Sequence, residues 1–206
     1  MLKCLNVKMT NTGFTLVEML VAMTAFLIVI GAIFGIFVLA IQQQRRALAS
    51  QVLLGQTSYA LEYISRALRI ADKQLAGNPA PACLSQNGLN YEIPLEYQIL
   101  GDENLGRGLR FINTLEGNDC QAFFLEHNKL KYKRRINTIN EITSDFTSDK
   151  LEITSLLFNL SGQSQADYLQ PKVTIFLEIK SRGIIQGQPF LKIQTTISQR
   201  KLDVQY

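Results

Sequence analysis

The sequence predicts an α+β protein: a long N-terminal helical spine, membrane-spanning in its first half, packed by its distal half on an antiparallel β-sheet. Three observations predict it. Met19 to Ile41 is a run of 23 residues in which Thr24 alone is neither apolar nor Gly. Beyond that run, apolar residues recur at helical spacing, with no Pro before Pro79. From about residue 84 onward the chain reads as short alternating segments separated by turns, with no strand–helix–strand alternation that would signal a parallel sheet.

Composition narrows the function classes. A chain of 206 residues suits one domain, or one domain plus an appendage. With 47% hydrophobic and 18% charged residues it is not a disordered or collagenous chain. The 21 basic against 17 acidic residues give a net charge of +4. That excess is too small and too scattered to point to nucleic acid as a partner. Three Cys and one His leave little material for a zinc site, and no metal or other cofactor is expected.

The elements follow in order. A helix of 23 residues spans ~35 Å, enough to cross a bilayer core with some tilt. A soluble core helix would keep a polar face, and this run has none. A secretory signal peptide is the alternative, with Val38-Leu39-Ala40 as a passable cleavage site. Such peptides carry a shorter apolar region, of about 7–15 residues, and the upstream flank differs as well. Residues 1–13 are short and polar, carry Lys3 and Lys8, and end in Gly13. Phe14-Thr15-Leu16-Val17-Glu18 then leads into the span.

A carboxylate at the lip of an apolar run is expensive. At mid-membrane an acidic residue costs about 2.5–3.5 kcal/mol, and less near the interface. Glu18 therefore asks for a neutralising partner, unless it simply rests at the headgroup level. Cleavage after Gly13 would create an ammonium on Phe14, one helical turn from Glu18 on the same face. Between parallel helices, one subunit's Phe14 amine would instead meet a neighbour's Glu18, removing two isolated charges and fixing the axial register.

Gly13-Phe14-Thr15-Leu16-Val17-Glu18-Met19-Leu20 resembles the type IV prepilin cleavage and methylation signature. The match covers about a tenth of the chain but combines several specific features. The resemblance implies that a membrane prepilin peptidase cuts between Gly13 and Phe14 and N-methylates the new amine. It implies that Glu18 neutralises that amine during filament assembly. It also implies a pilin-like layout: a leader over 1–13, a transmembrane and filament-core helix over 14–41, its amphipathic continuation over 42–78, and an extracytoplasmic antiparallel β head over 79–206. Lys3 and Lys8 favour a cytoplasmic N-terminus. Arg45 and Arg46 flank the other end, so the orientation rests on the leader match. Gly31 and Gly35 form a small-xxx-small pair that lets helices approach closely, although small residues are also simply common in such helices. Many major pilins carry a Pro in this segment. Here there is none, and any local softening falls to these two glycines.

Past the span, Leu54, Leu61, Ile64, Leu68, Ala71 and Leu75 recur at spacings of three, four or seven, with Gln56, Glu62, Arg66, Arg69 and Asp72 between them. The spacing predicts one helix from about Phe14 to Ala76, on the order of 95 Å long, stopped by Gly77-Asn78-Pro79. Strands are predicted at Tyr91–Leu100, Leu109–Asn113, Ala122–Leu125, Leu130–Arg134, Leu151–Leu160, Lys172–Lys180 and Leu191–Gln199. Val173, Ile175, Leu177 and Ile179 alternate with Thr174, Phe176, Glu178 and Lys180. Glu126-His127-Asn128-Lys129 reads as a hairpin connection. The last two strands join through Arg182–Pro189, and one apolar face of the sheet is expected on the Leu61, Ile64 and Leu68 stripe. The head is similar in architecture to those of minor pilins and J-type pseudopilins of type II secretion.

Removal of the leader takes Cys4 with it and leaves Cys83 and Cys120 in the exported head. An even pair there reads as a disulfide closing a loop of 37 residues, worth ~3–4 kcal/mol; two buried free thiols are the alternative. His127 reads as a solvated turn residue. Asp102-Glu103-Asn104 and the pair Asp145 and Asp149 lack calcium-loop spacing and read as ordinary loop acids. Lys129-Leu130-Lys131-Tyr132-Lys133-Arg134-Arg135 reads as an edge strand protected by charge. Asn159-Leu160-Ser161 is a glycosylation sequon by pattern only. No nucleophile elbow, phosphate loop, dinucleotide fingerprint or CxxC pair is present.

The expected function is therefore structural: a subunit of a type IV pilus or related pseudopilus, a minor pilin or pseudopilin, and not an enzyme. The implied partners are other pilin or pseudopilin subunits, the prepilin peptidase, an inner-membrane assembly platform driven by a cytoplasmic ATPase, and membrane lipid before assembly. The implied location is the cytoplasmic membrane, then a cell-surface filament. The alternative is a membrane-anchored exported binding protein that does not polymerise.

Overall fold

The computed structural model describes residues 13–77, 79, 81–115, 117–135, 140–163, 169–183 and 187–201. The chain divides into two compact units, Met1–Arg45 and Arg46–Tyr206. One helix, α1 (Leu16–Arg69), contributes to both.

From Leu16 to Ile41 the helix carries polar side chains only at Glu18 and Thr24, and its large apolar side chains up to Leu39, Ile30 excepted, are exposed. The segment is long and apolar enough to cross a membrane. Its single polar side chain past Glu18, Thr24, donates its hydroxyl to the Val21 carbonyl at 2.9 Å, so the helix satisfies that group internally.

In the second unit the helix buries Leu53, Thr57, Ala60, Ile64, Ala67 and Leu68. This stripe is offset from the expected one. Leu54 is 49% exposed and Leu61 only half-buried, while Thr57, Ala60 and Ala67 face the core. The sheets approach the helix over small residues, and counting large apolar residues alone points about 100° to one side, the turn per residue of an α-helix. Thr57 is tolerated there because its hydroxyl donates to the Leu53 carbonyl at 2.7 Å.

The helix also ends earlier than expected, at Arg69 rather than near Ala76. Its terminal carbonyls are taken up by other elements. Leu68 accepts from the Tyr91 hydroxyl at 2.7 Å, Arg69 from the Arg200 amide at 2.7 Å, and Ile70 from the Thr114 hydroxyl at 3.0 Å. The next residues leave the helix to pair as β1 (Ala71–Asp72). Leu75 stands 53% exposed as a consequence.

The remaining strands are β2 (Tyr91–Glu92), β3 (Gln98–Ile99), β4 (Asp102–Gly106), β5 (Gly108–Asn113), β6 (Asp119–Glu126), β7 (Lys129–Arg135), β8 (Glu141–Asp145), β9 (Leu151–Ser161), β10 (Lys172–Ser181) and β11 (Phe190–Ser198). They form two antiparallel sheets. One has the order β1-β5-β6-β7-β8, with β2 also on β5; the other has the order β11-β10-β9-β4-β3. The helix stripe shares one core with both, packing with Tyr91, Phe111 and Phe123 from the first sheet and Phe158, Ile175 and Ile179 from the second.

The expected strand at 91–100 is broken by a 3₁₀ turn, Leu95–Tyr97, which follows Pro94. Proline withholds a ladder donor and presets the turn. The β6–β7 hairpin forms as expected, with Glu126 opposite Lys129 and both His127 (φ 51°) and Asn128 (φ 60°) in the left-handed region. A two-residue turn of that kind matches the twist of its flanking strands. Strand β10 keeps its alternation, with Val173, Ile175, Leu177 and Ile179 buried.

Candidate functional site

Gly13, Phe14 and Thr15 precede the first helical residue, Leu16. Thr15 occupies the cap position and Glu18 the third helical position. The Glu18 amide donates to the Thr15 hydroxyl at 3.3 Å, and the Thr15 amide donates to a Glu18 carboxylate oxygen at 3.5 Å. This reciprocal pair is a capping box, which satisfies two of the amides a helix start leaves open. The carboxylate also sits at the positive end of the helix dipole. The Thr-x-x-Glu spacing was present in the sequence as the signal for this role, and the reading by charge alone passed over it.

Gly13 has open space around it: a Cβ built there meets nothing within 4 Å. Among the described residues nothing requires glycine at this position. The same holds at Gly31 and Gly35, one turn apart on the helix. Among the described residues there is no steric reason for any of the three.

Cys83 and Cys120 are joined in a disulfide, with a 5.4 Å Cα separation and a sequence separation of 37. With Leu84 and Ile112 they form a small buried cluster apart from the main core. Gln74 supports it, its side-chain oxygen accepting from the Cys83 amide at 2.8 Å and the Leu84 amide at 3.2 Å. The bond ties the irregular stretch after β1 to strand β6. Cys4 lies outside the described residues.

The basic segment 129–135 is an interior strand, not an edge: β7 pairs with β6 on one side and β8 on the other. Its charges are largely matched across the sheet. Lys129 meets Asp145 at 2.7 Å and Asp149 at 2.5 Å. Lys131 meets Glu126 at 2.6 Å, Lys133 meets Glu141 at 2.7 Å, and Arg134 meets Asp119 at 2.6 Å. Hydrogen bonds from the lysines hold the Asp145 and Glu126 carboxyls below their ordinary range, and the bonds to Asp145 and Asp149 raise Lys129. Asp145 and Asp149 are thus counter-ions of a lysine. Asp102 accepts from the Asn104 amide at 2.8 Å. His127 is exposed in its turn, with Glu126 3.8 Å away. Asn159 lies exposed within β9, between Leu105 and Thr174 in register. Among the described residues no group of three or more His, Cys, Asp or Glu side chains is placed to hold a metal ion.

Residues 8–34 match the family described as the prokaryotic N-terminal methylation motif, the type IV pilin signature. No curated protein and no solved structure is matched by the chain. The signature supports a type IV pilin- or pseudopilin-like exported subunit, structural rather than enzymatic in kind. The signature and the apolar helix together fit a membrane-anchored, surface-exposed protein.

Proposed function

We propose that this chain is a minor pilin or pseudopilin, cut between Gly13 and Phe14, N-methylated on Phe14, and assembled through its N-terminal helix into a helical filament. The observation that carries the reading is the junction itself. A carboxylate capped onto the start of a helix that is apolar over its first half stands five residues after a glycine for which the described residues show no steric need. A glycine with no steric role in its own chain is explained by a second protein that must approach its peptide bond. The leader over 1–13, the span over 14–41, and Gly31 and Gly35 as a helix-packing face belong to the same reading. So does assembly with other pilin subunits from an inner-membrane platform.

The mature mass tests it. Protein recovered from its native membrane is expected to begin at N-methyl-Phe14, and Gly13→Ala is expected to leave the precursor uncut. Recovery of a functional chain still beginning at Met1, or an unchanged precursor-to-mature ratio in the Gly13 variant, overturns the proposal.

A further inference from the structure

Where α1 ends, a cleft of about 860 Å³ opens between the helix and the ends of β5 and β11. Its apolar lining comes from Tyr63, Ala67, Ile70, Leu115 and Ile197. Three guanidinium groups, Arg66, Arg69 and Arg200, line it as well, and no acidic side chain does. Arg66 is half-balanced by Glu62 at 2.6 Å on the helix surface. Neither Arg69 nor Arg200 has a side-chain partner among the described residues.

The helix terminus does not account for these charges. A helix C-terminus attracts cations to its open carbonyls. Here the carbonyls of Leu68, Arg69 and Ile70 are already taken by Tyr91, the Arg200 backbone and Thr114. Asp72, just past the terminus, is held by Lys201. Two arginines therefore stand over an apolar cleft with no side-chain partner among the described residues for their forked donors.

We propose that this cleft binds an acidic, partly apolar peptide segment of a partner protein, its carboxylates on Arg69 and Arg200 and its apolar side chains against Tyr63, Ile70 and Ile197. A guanidinium takes a carboxylate through two parallel hydrogen bonds, and the apolar walls exclude water around that pair. A lipid headgroup is the competing anion. Measured along the helix, Arg69 lies about 35 Å beyond Arg46, several times the thickness of a headgroup layer. That distance favours a protein partner. The proposal concerns only the second unit and stands apart from the filament reading.

The test uses the full chain in detergent micelles. The probe is a fluorescein-labelled acetyl-hexapeptide alternating leucine and aspartate, read by fluorescence anisotropy, with the leucine–lysine peptide as control. Binding of the aspartate peptide is expected, with no binding of the lysine peptide. Arg69→Gln with Arg200→Gln is expected to weaken it at least tenfold. Arg107→Gln, an arginine outside the cleft, is expected to leave it unchanged. Both variant sites are exposed and their backbone bonds remain, so an unchanged melting temperature confirms that the fold is kept. Equal binding of both peptides, no binding, or indifference to the double substitution overturns the proposal. So does flotation with phosphatidylglycerol vesicles that depends on Arg69 and Arg200 while the peptide fails to bind.

Discussion

Replacing both Cys83 and Cys120 with Ala would remove the one covalent tie in the second unit. The bond closes a loop of 37 residues. Loop-closure entropy for that length comes to about 3.8 kcal/mol at 25 °C. The sulfurs are buried against Leu84 and Ile112, so a small packing loss adds to it. For a folded unit of this size each kcal/mol moves the melting temperature by about 2–4 °C, giving an expected drop of roughly 8–15 °C. The chain has no Trp and seven Tyr. Tyr59, Tyr63, Tyr91, Tyr97 and Tyr132 all lie in the second unit. Tyrosine fluorescence and near-UV circular dichroism of the full chain in micelles therefore report on that unit. Thiol titration of the denatured parent should find only Cys4 in the precursor, and none in a chain beginning at Phe14. A drop below about 3 °C, far under the entropic figure, or two additional titratable thiols in the parent, would refute the argument.

Other outcomes follow from single contacts. Tyr91→Phe leaves the Leu68 carbonyl buried without its donor, for an expected loss of about 1–2 kcal/mol; denaturant melts that superimpose on the parent would contradict it. Burial, with help from Glu96 and Glu126, pushes the Tyr97 phenol up to about 12, and burial raises Tyr91 as well. A raised folded value means that the native state holds these protons more tightly than the unfolded chain. Their contribution is therefore full below about pH 10 and is lost as pH rises through the folded values. Melting temperatures at pH 9 and pH 11 should show the decline, and Tyr97→Phe should reduce its slope; a flat profile would count against it. Glu18→Gln and Glu18→Ala separate two roles, because Gln still completes a capping box and Ala does not. If neutralising the amine is what assembly needs, both variants lose filament incorporation alike. Normal incorporation of the Gln variant would leave Glu18 only its cap, a role worth about 0.5–2 kcal/mol.

The parts legible in the sequence were those with strong periodicity. The apolar span, the alternation of Val173 to Ile179, the hairpin at His127-Asn128 and the pairing of Cys83 with Cys120 all appear where the residues pointed. Strands β4 and β8 were missed because Asp102–Gly106 and Glu141–Asp145 are mostly exposed and polar, so neither carries a two-residue apolar period. The single expected sheet became two, since strand order follows long-range pairing rather than local pattern. The helix end was misplaced for a related reason. Residues 70–75 are compatible with helix, but Tyr91, Thr114 and Arg200 claim its last carbonyls from 23 to 131 positions away in sequence. The arginine cleft was illegible on the same ground, because Arg69 and Arg200 are 131 positions apart and come together only through long-range pairing. The capping box was a different kind of miss: Thr15 and Glu18 are three apart, and the pattern was there to be read.

The physical case for filament assembly rests on the two faces of the first unit's chemistry. Side chains such as Leu20, Phe26, Phe34 and Leu39 are exposed in the isolated chain. At about 1.5–3 kcal/mol each, a dozen such residues represent on the order of 20–35 kcal/mol of transfer free energy. That exceeds the typical net stability of a folded domain, about 5–15 kcal/mol, so the helix must be covered by something apolar. Lipid tails and the faces of like helices serve almost equally well, and movement between them changes little of this term. The direction of transfer must then come from the few groups that tell the two surroundings apart. Glu18 is the group best placed to do so. In lipid its carboxylate has its own helix cap and whatever water reaches the interface. In the proposed filament, parallel helices of a cleaved protein would also offer it ammonium groups at the same depth. The capping box holds the carboxylate at the helix start before any neighbour arrives, which lowers the ordering cost of that encounter.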